Sequence, residues 1–258
     1  MLIVENRMRA LLSLAAIVAC ALTAQAQDDA ALELHLDFES DEAADVSGNG
    51  RDGAVVGAPT VVPGVVGDAW EFDGGLQIDL NDQLFKDPDR ELSVRVWLLP
   101  SDLDTMRTIY DEGGAWTGFT VRIMDGALEF ATVCCDAAHP PPEVISVDYT
   151  GGDEWAEVAA VFGQGQMLLY VNGLVVGEQA TDWAELGGHG QAAGIGNISP
   201  GDTAFGGGGG FYVGLMDEFR VYSRMLDAEE LSLSVDPMAS DMVTMWARVR
   251  AATTPTTW

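Results

Sequence analysis

Apolar and polar residues alternate along much of the chain with a period of two. Leu32, Leu34, Leu36 and Phe38 alternate with Glu33, His35, Asp37 and Glu39. Leu92, Val94, Val96 and Leu98 alternate with Ser93, Arg95 and Trp97, and Phe119, Val121 and Ile123 with Thr120 and Arg122. Successive side chains of a strand point to opposite faces, so this period predicts strands with one buried face. Shorter runs of the same kind fall at 70–72, 128–130, 158–162, 167–171, 174–176 and 213–222. Turn chemistry separates them: Asp125-Gly126, Gly163-Gln164-Gly165 and Asn172-Gly173, the last being the favoured dipeptide of a two-residue type I′ hairpin. One helix start stands out, Asp227-Ala228-Glu229-Glu230, an N-cap with glutamate at N3 ahead of Leu231. The prediction is an all-β, antiparallel two-sheet sandwich with one short C-terminal helix. Met242, Met245, Trp246 and Val249 have helical spacing, so the tail 236–258 is read as a short helix docked on the sandwich.

The first residues do not follow this pattern. Arg7 and Arg9 precede an apolar run from Ala10 to Ala19, and Ala24-Gln25-Ala26 has the small-residue form of a cleavage site. Residues 1–26 read as a bacterial-type secretory signal peptide, with Met8 as an alternative start. A second reading takes Ile17-Val18-Ala19-Cys20 as a lipoprotein box with Cys20 lipidated. Plain secretion, to the periplasm or cell surface, is favoured because the cleavage site is well formed. The division expected is signal peptide 1–26, one domain 27–235 and tail 236–258.

Charge narrows the partners. Against 41 Asp+Glu stand 12 Lys+Arg, a net charge of -29 over 258 residues. A nucleic-acid binder needs a basic footprint that this chain lacks, and docking on anionic headgroups is disfavoured likewise. Any membrane association would come through a lipid on Cys20. With 48% apolar residues the chain has the means to bury a core, unlike a disordered acidic segment. Cys134 and Cys135 are adjacent and cannot close an ordinary loop. They are two free thiols, an interchain pair, or a vicinal disulfide made on an oxidising export route.

The order of short motifs resembles the laminin-G-like, concanavalin A-like lectin-glucanase jelly-roll domains. The resemblance rests on Leu36-Asp37-Phe38-Glu39 followed by Asp45-Val46-Ser47-Gly48-Asn49-Gly50, and on the 64–74 segment containing Trp70-Glu71-Phe72. It continues through Leu92 to Trp97, Trp155 to Val161, the Leu168-Leu169-Tyr170-Val171-Asn172-Gly173 hairpin, and Gly214 to Leu226. Together these span about residues 31 to 233. The resemblance implies the jelly roll, packing roles for Trp97 and Trp155, and a structural calcium held by Glu39, Asp45 and Asn49 on the loop side and Asp217 opposite. Calcium takes six to eight hard oxygens, and glutamate at position 39 replaces the more usual aspartate of that strand. Without a metal, Ser47 to Gly50 is a turn and Asp217 a charge on a strand.

Catalytic machinery is not legible. Glycosidases of this fold carry E-x-D-x-x-E or E-x-D-x-E on one strand, so that two carboxylates flank the bond. Glu39-Ser40-Asp41 begins that pattern, but Ala43 and Ala44 end it. No nucleophile elbow, zinc motif or phosphate loop is present, and the glycines at 206–210 read as a mobile rim loop. Sugar recognition would use exposed aromatic faces, for which Trp116 and Trp183, each in a polar or glycine-rich stretch, are the candidates. The resulting expectation is a non-catalytic module binding a glycan or an extracellular protein. A glycoside hydrolase or lyase with an atypical site, and an adhesive or structural surface component, are the alternatives.

Overall fold

The computed structural model describes residues 29–81, 83–85, 91–135, 141–198 and 201–233. Cys20, the cleavage site and the 236–258 tail lie outside them. The chain falls into two compact units, Met1–Leu32 and Glu33–Trp258. In the first unit the described residues form a turn, where Leu32 N–H donates to the Asp29 carbonyl at 2.8 Å and Ala31 N–H to Asp29 Oδ1 at 3.1 Å.

The strands, in chain order, are β1 (Leu32–Leu36), β2 (Ala54–Val56), β3 (Thr60–Pro63), β4 (Asp68–Asp73), β5 (Gln77–Leu80), β6 (Glu91–Pro100), β7 (Arg107–Gly113) and β8 (Gly118–Met124). They continue as β9 (Ala127–Val133), β10 (Glu143–Asp148), β11 (Ala156–Gly163), β12 (Gln166–Val171), β13 (Leu174–Ala180), β14 (Ala193–Ile195) and β15 (Val213–Tyr222). The helix α1 covers Ala228–Leu233. One sheet has the order β13-β12-β11-β6-β15-β4-β3, with β1 also paired to β15, and the other β10-β9-β8-β7-β14-β5-β2. The registered pairs are antiparallel, and the chain-distant β6 and β15 lie side by side, as a jelly roll requires. No described helix is long and apolar enough to cross a membrane.

The alternation seen in the sequence sets the core. Leu92, Val94, Val96 and Leu98 of β6 join Phe119, Val121 and Ile123 of β8 and their neighbours in one buried cluster. Phe38, Trp70, Phe72 and Tyr212 pack ring against ring, with centroids 5.1 Å apart for Phe38–Trp70 and 5.8 Å for Phe72–Tyr212. Each such side chain contributes on the order of 2 kcal/mol by leaving water. Trp97 and Trp155, expected to pack, stay partly exposed. They sit on the outward phase of β6 and just before β11, and Trp70 is the core tryptophan instead.

The turns follow their residues. Asp125 and Gly126, and Asn172 and Gly173, all have positive φ, the two-residue geometry that matches strand twist. At α1, Glu230 N–H donates to Asp227 Oδ1 (2.9 Å) and Asp227 N–H to Glu230 Oε2 (3.1 Å). That is the reciprocal capping box read from the sequence.

Candidate ligand-binding site

Three loops meet at one end of the β7-β8-β14 region. The β7–β8 hairpin closes with Gly114 N–H donating to the Thr117 carbonyl at 2.7 Å, and its tip presents Trp116, 59% exposed. The segment before β14, Gly188-His189-Gly190-Gln191, forms a second wall, and Asp202 a third. They enclose an open cavity of about 330 Å³, the lower end of the range of small-ligand sites.

Backbone approach holds the walls together. Gln191 lies between Gly114 and Gly201: a Cβ on Gly114 would come within 2.4 Å of Gln191 Oε1, and one on Gly201 within 2.1 Å of Nε2. Glycine at both positions is what lets Gln191 occupy this slot. On the far side, Cys135 N–H donates to the Trp116 carbonyl at 3.2 Å, and Gly187 N–H donates to Cys134 Sγ at 3.0 Å. The Cys134 and Cys135 sulfurs lie against each other as a disulfide between neighbours. The cysteine pair thus touches both the Trp116 wall and the start of the His189 wall.

His189 is the floor of the cavity. Its side chain is 6% exposed, and Nε2 stands 3.2 Å from Glu112 Oε1. Both ring nitrogens, Nδ1 and Nε2, are buried without a hydrogen-bond partner. The ring packs edge-on to Phe85, with centroids 4.3 Å apart. Glu112 is itself fully buried and accepts from Leu84 N–H (2.6 Å), Phe85 N–H (3.0 Å) and the Tyr110 hydroxyl (2.5 Å). Burial, followed by the Glu112 charge, pushes the Tyr110 hydroxyl well above its ordinary pKa, so it stays a donor.

The third wall is anchored from behind. Ala204 N–H donates to Thr120 Oγ1 (2.9 Å), and Thr120 Oγ1–H donates to Asp111 Oδ1 (2.6 Å). The 203–207 turn closes with Thr203 N–H on the Gly207 carbonyl, 2.9 Å, and Gly206 N–H on the Thr203 carbonyl, 2.8 Å. Arg122 lies 3.5 Å over the Phe205 ring. The glycine run is pinned, not a free rim: Thr108 N–H donates to the Gly210 carbonyl at 2.8 Å. Burial pushes Asp111 up to about 7, with the nearby Glu112 charge adding to the rise and the Thr120 hydrogen bond opposing it.

The other sequence candidates lie elsewhere. Trp183 packs partly buried against the core, and its Nε1–H donates to Thr132 Oγ1 at 3.3 Å. It does not line the Trp116 cavity among that cavity's described residues. Glu39, Asp45, Asn49 and Asp217, expected to converge, fall into two groups: Asp45 and Asn49 in the 45–51 turn, Glu39 and Asp217 at the β3–β4 loop. Asp45 Oδ1 accepts His35 N–H (3.1 Å) and Ser47 N–H (3.0 Å), and Oδ2 accepts Arg51 N–H (2.9 Å). Burial pushes Asp45 up, but these bonds outweigh it and hold its pKa below the ordinary value. Asn49 Nδ2–H donates to the Glu33 carbonyl at 3.2 Å and Ser47 Oγ at 3.1 Å. Glu39 Oε1 accepts Asp68 N–H at 3.2 Å, and Asp217 Oδ2 accepts Val65 N–H (2.8 Å) and Val66 N–H (2.9 Å).

Each carboxylate thus accepts from nearby backbone N–H groups through at least one oxygen. Among the described residues, no three His, Cys, Asp or Glu come close enough to hold a metal ion. The bulge of β15 after Asp217 turns that side chain onto the β3–β4 loop. One calcium-like feature remains, Asp217 Oδ1, which is buried without a partner. A single orphan oxygen does not make a calcium cage.

His189, Gln191 and Asp202 carried no strong sequence signal. The hint was a histidine and a glutamine interleaved with glycines at 187–191, where backbones must approach closely. A larger cavity, about 470 Å³, lies between Val147–Ala156 and Val171–Val176. Its aromatic wall, Trp155, is only partly exposed, so the indole offered to solvent is that of Trp116.

Comparison with known proteins agrees with the architecture. A family model described as the concanavalin A-like lectin/glucanases superfamily matches residues 72–232. No curated protein matches the sequence. Among solved structures, the binding domain of Paraclostridial Mosquitocidal Protein 1 is similar with a TM-score of 0.65 at 17% identity, over 81% of this chain and 53% of that one. Domain 4 of AbnA, a GH43 extracellular arabinanase from Geobacillus stearothermophilus solved with arabinotriose, gives 0.61 at 20% identity, over 78% of this chain and 97% of that one. The receptor binding domain of botulinum neurotoxin D gives 0.60 at 18% identity, over 82% and 54%. The chain therefore spans about half the length of the toxin domains it matches.

Proposed function

The chain belongs to the concanavalin A-like lectin/glucanases superfamily, and from that premise we propose that it is a non-catalytic glycan-binding module whose site is the Trp116 cavity. The carrying observation is an exposed indole at the mouth of a cavity whose floor is a buried histidine with an unpaired Nδ1. Sugars present one apolar C–H face and a rim of hydroxyls. The indole takes the face by stacking, and Gln191, Asp202 and the glycine-rich backbone take the hydroxyls, over a floor shaped by the His189 ring. Similar domains support the class: one arabinanase domain was solved with arabinotriose, and the binding domain of a botulinum neurotoxin with SialylT. Glycosidase chemistry needs two carboxylates across the scissile bond. Asp202 is the one carboxylate among the described residues lining this cavity.

Titration calorimetry with arabinotriose and other neutral oligosaccharides tests the reading. Binding that is lost in Trp116→Ala with an unchanged circular dichroism spectrum supports it. Release of reducing ends from a polysaccharide would replace it with the hydrolase alternative. A second reading, contact with an extracellular protein, is favoured by Leu174, Val175 and Val176 on the edge strand β13, 71%, 49% and 41% exposed.

Export belongs to the same proposal. Mature protein starting at Gln27 is expected, and an acylated Cys20 at the N-terminus would establish the lipoprotein form instead. The Cys134–Cys135 disulfide is proposed as a brace for both walls of the cavity. Intact mass with alkylation before reduction should show neither cysteine labelled; two labels would remove the brace.

A further inference from the structure

The Trp116 cavity has a sign as well as a shape. Asp202 at its rim is a carboxylate, which only accepts hydrogen bonds. No arginine or lysine lines the cavity among its described residues. Nor is there a described arginine in reserve. Arg51 pairs with Glu33 (2.6 Å), Arg95 with Glu157 (2.6 Å) and Arg122 with Glu129 (2.7 Å). Arg107 pairs with Asp102, Arg220 with Glu218, and Arg224 with Glu230 (2.6 Å). Lys86, Arg90 and His139 lie outside the described residues, as do Arg7, Arg9, Arg248 and Arg250.

Among the described residues lining the cavity, the one candidate cation is His189, with Glu112 directly behind it at 3.2 Å. Any positive charge on the ring is therefore met from within the protein and not offered whole to a ligand. Around the site, the chain carries a net charge of -29, a field that repels anions at long range.

Resting on the glycan-binding reading, we infer that the ligand is an uncharged saccharide and that the site rejects acidic sugars carrying a carboxylate or sulfate. A neutral sugar supplies hydroxyl donors to Asp202. It also leaves its C–H face free for Trp116. A carboxylate at the same rim would bring only acceptors and would stand against Asp202, with no arginine or lysine among the described lining residues to offset either charge.

The test uses matched saccharides that differ in their acidic groups, trigalactose against trigalacturonic acid, and lactose against sialyllactose, by calorimetry at low and high salt. The neutral member is expected to bind on the order of tenfold tighter or better, and the gap to narrow with salt. In Asp202→Asn, a substitution at an exposed position, the gap should narrow at low salt too. Equal or tighter binding of the acidic members, lost in Trp116→Ala, overturns this inference and leaves glycan binding standing. A gap unchanged by both salt and Asp202→Asn overturns the charge mechanism. Binding of neither member of either pair overturns the inference together with the reading beneath it.

Discussion

Replacing Asp111 by asparagine separates one buried charge from a very acidic background. Asp111 lies under the 203–207 turn, 2% exposed, and accepts a hydrogen bond from Thr120. Burial raises its pKa from the ordinary 3.8 to about 7. Between those values the folded protein keeps the proton that the unfolded chain has released. The unfolded state then binds fewer protons, so stability falls as pH rises through this interval and levels above about 7. Each pH unit is worth about 1.4 kcal/mol, which puts the full loss at about 4 kcal/mol. Water entering beside the ionised group reduces that to about 2–4 kcal/mol.

Asparagine keeps an acceptor for Thr120 and has no charge to acquire. Its absolute stability depends on where the new amide N–H groups find acceptors, so the pH dependence is the diagnostic. The measurement is urea unfolding of both proteins from pH 4 to 8, followed by tryptophan fluorescence. The stability of Asp111→Asn minus that of the parent should climb with pH by about 2–4 kcal/mol and flatten above about 7. A difference independent of pH would mean that Asp111 is solvated, and the buried account of the third wall would fall with it.

Gly114→Ala places a methyl 2.4 Å from Gln191 Oε1, so Gln191 must leave its slot. Sugar binding should weaken at a stability cost of about 1–3 kcal/mol, read by calorimetry and urea unfolding. Asp227→Ala removes the acceptor for Glu230 N–H at the start of α1 and should cost about 1 kcal/mol without changing sugar affinity. Because Glu39, Asp45 and Asp217 are each bound to backbone N–H groups, calcium and EDTA should leave the melting temperature unchanged; a rise with calcium would show that the loops rearrange around a cation.

The legibility of the fold in the sequence tracks how each strand is covered. β6 and β8 set apolar residues on one face and mostly polar ones on the other, even where the outer face is covered at Ser93 and Thr120, and that alternation predicts them. β7 shows no alternation, because its register against β8 shifts between Thr108 and Tyr110, so that Ile109 and Tyr110 both enter the core while Thr108 and Asp111 are buried by the segment at 203–210. β14 has three residues, and β2 and β3 are short edge strands with mixed exposure, too little for a periodic signal. The hairpins and the α1 cap were legible because their chemistry is local: two or four residues decide φ or a reciprocal hydrogen bond.

The same distinction explains the site. Trp116 could be singled out because an aromatic residue beside glycines is unusual by itself. Its partners arrive from sequence distances that only the sheet order closes: β14 inserts between β5 and β7, bringing the 187–191 segment beside the β7–β8 hairpin. The expected calcium set divides between two turns for a related reason. Its members were matched by motif order, whereas the backbone N–H groups of nearby turns reach those carboxylates first. An aspartate that caps a loop is already satisfied, and gathering it to a distant metal would leave those N–H groups without an acceptor. Acidic composition alone therefore said little about cation binding here. The informative feature is the pairing of the described arginines, which leaves Asp202 at the Trp116 cavity without one and underlies the proposed preference for neutral sugars.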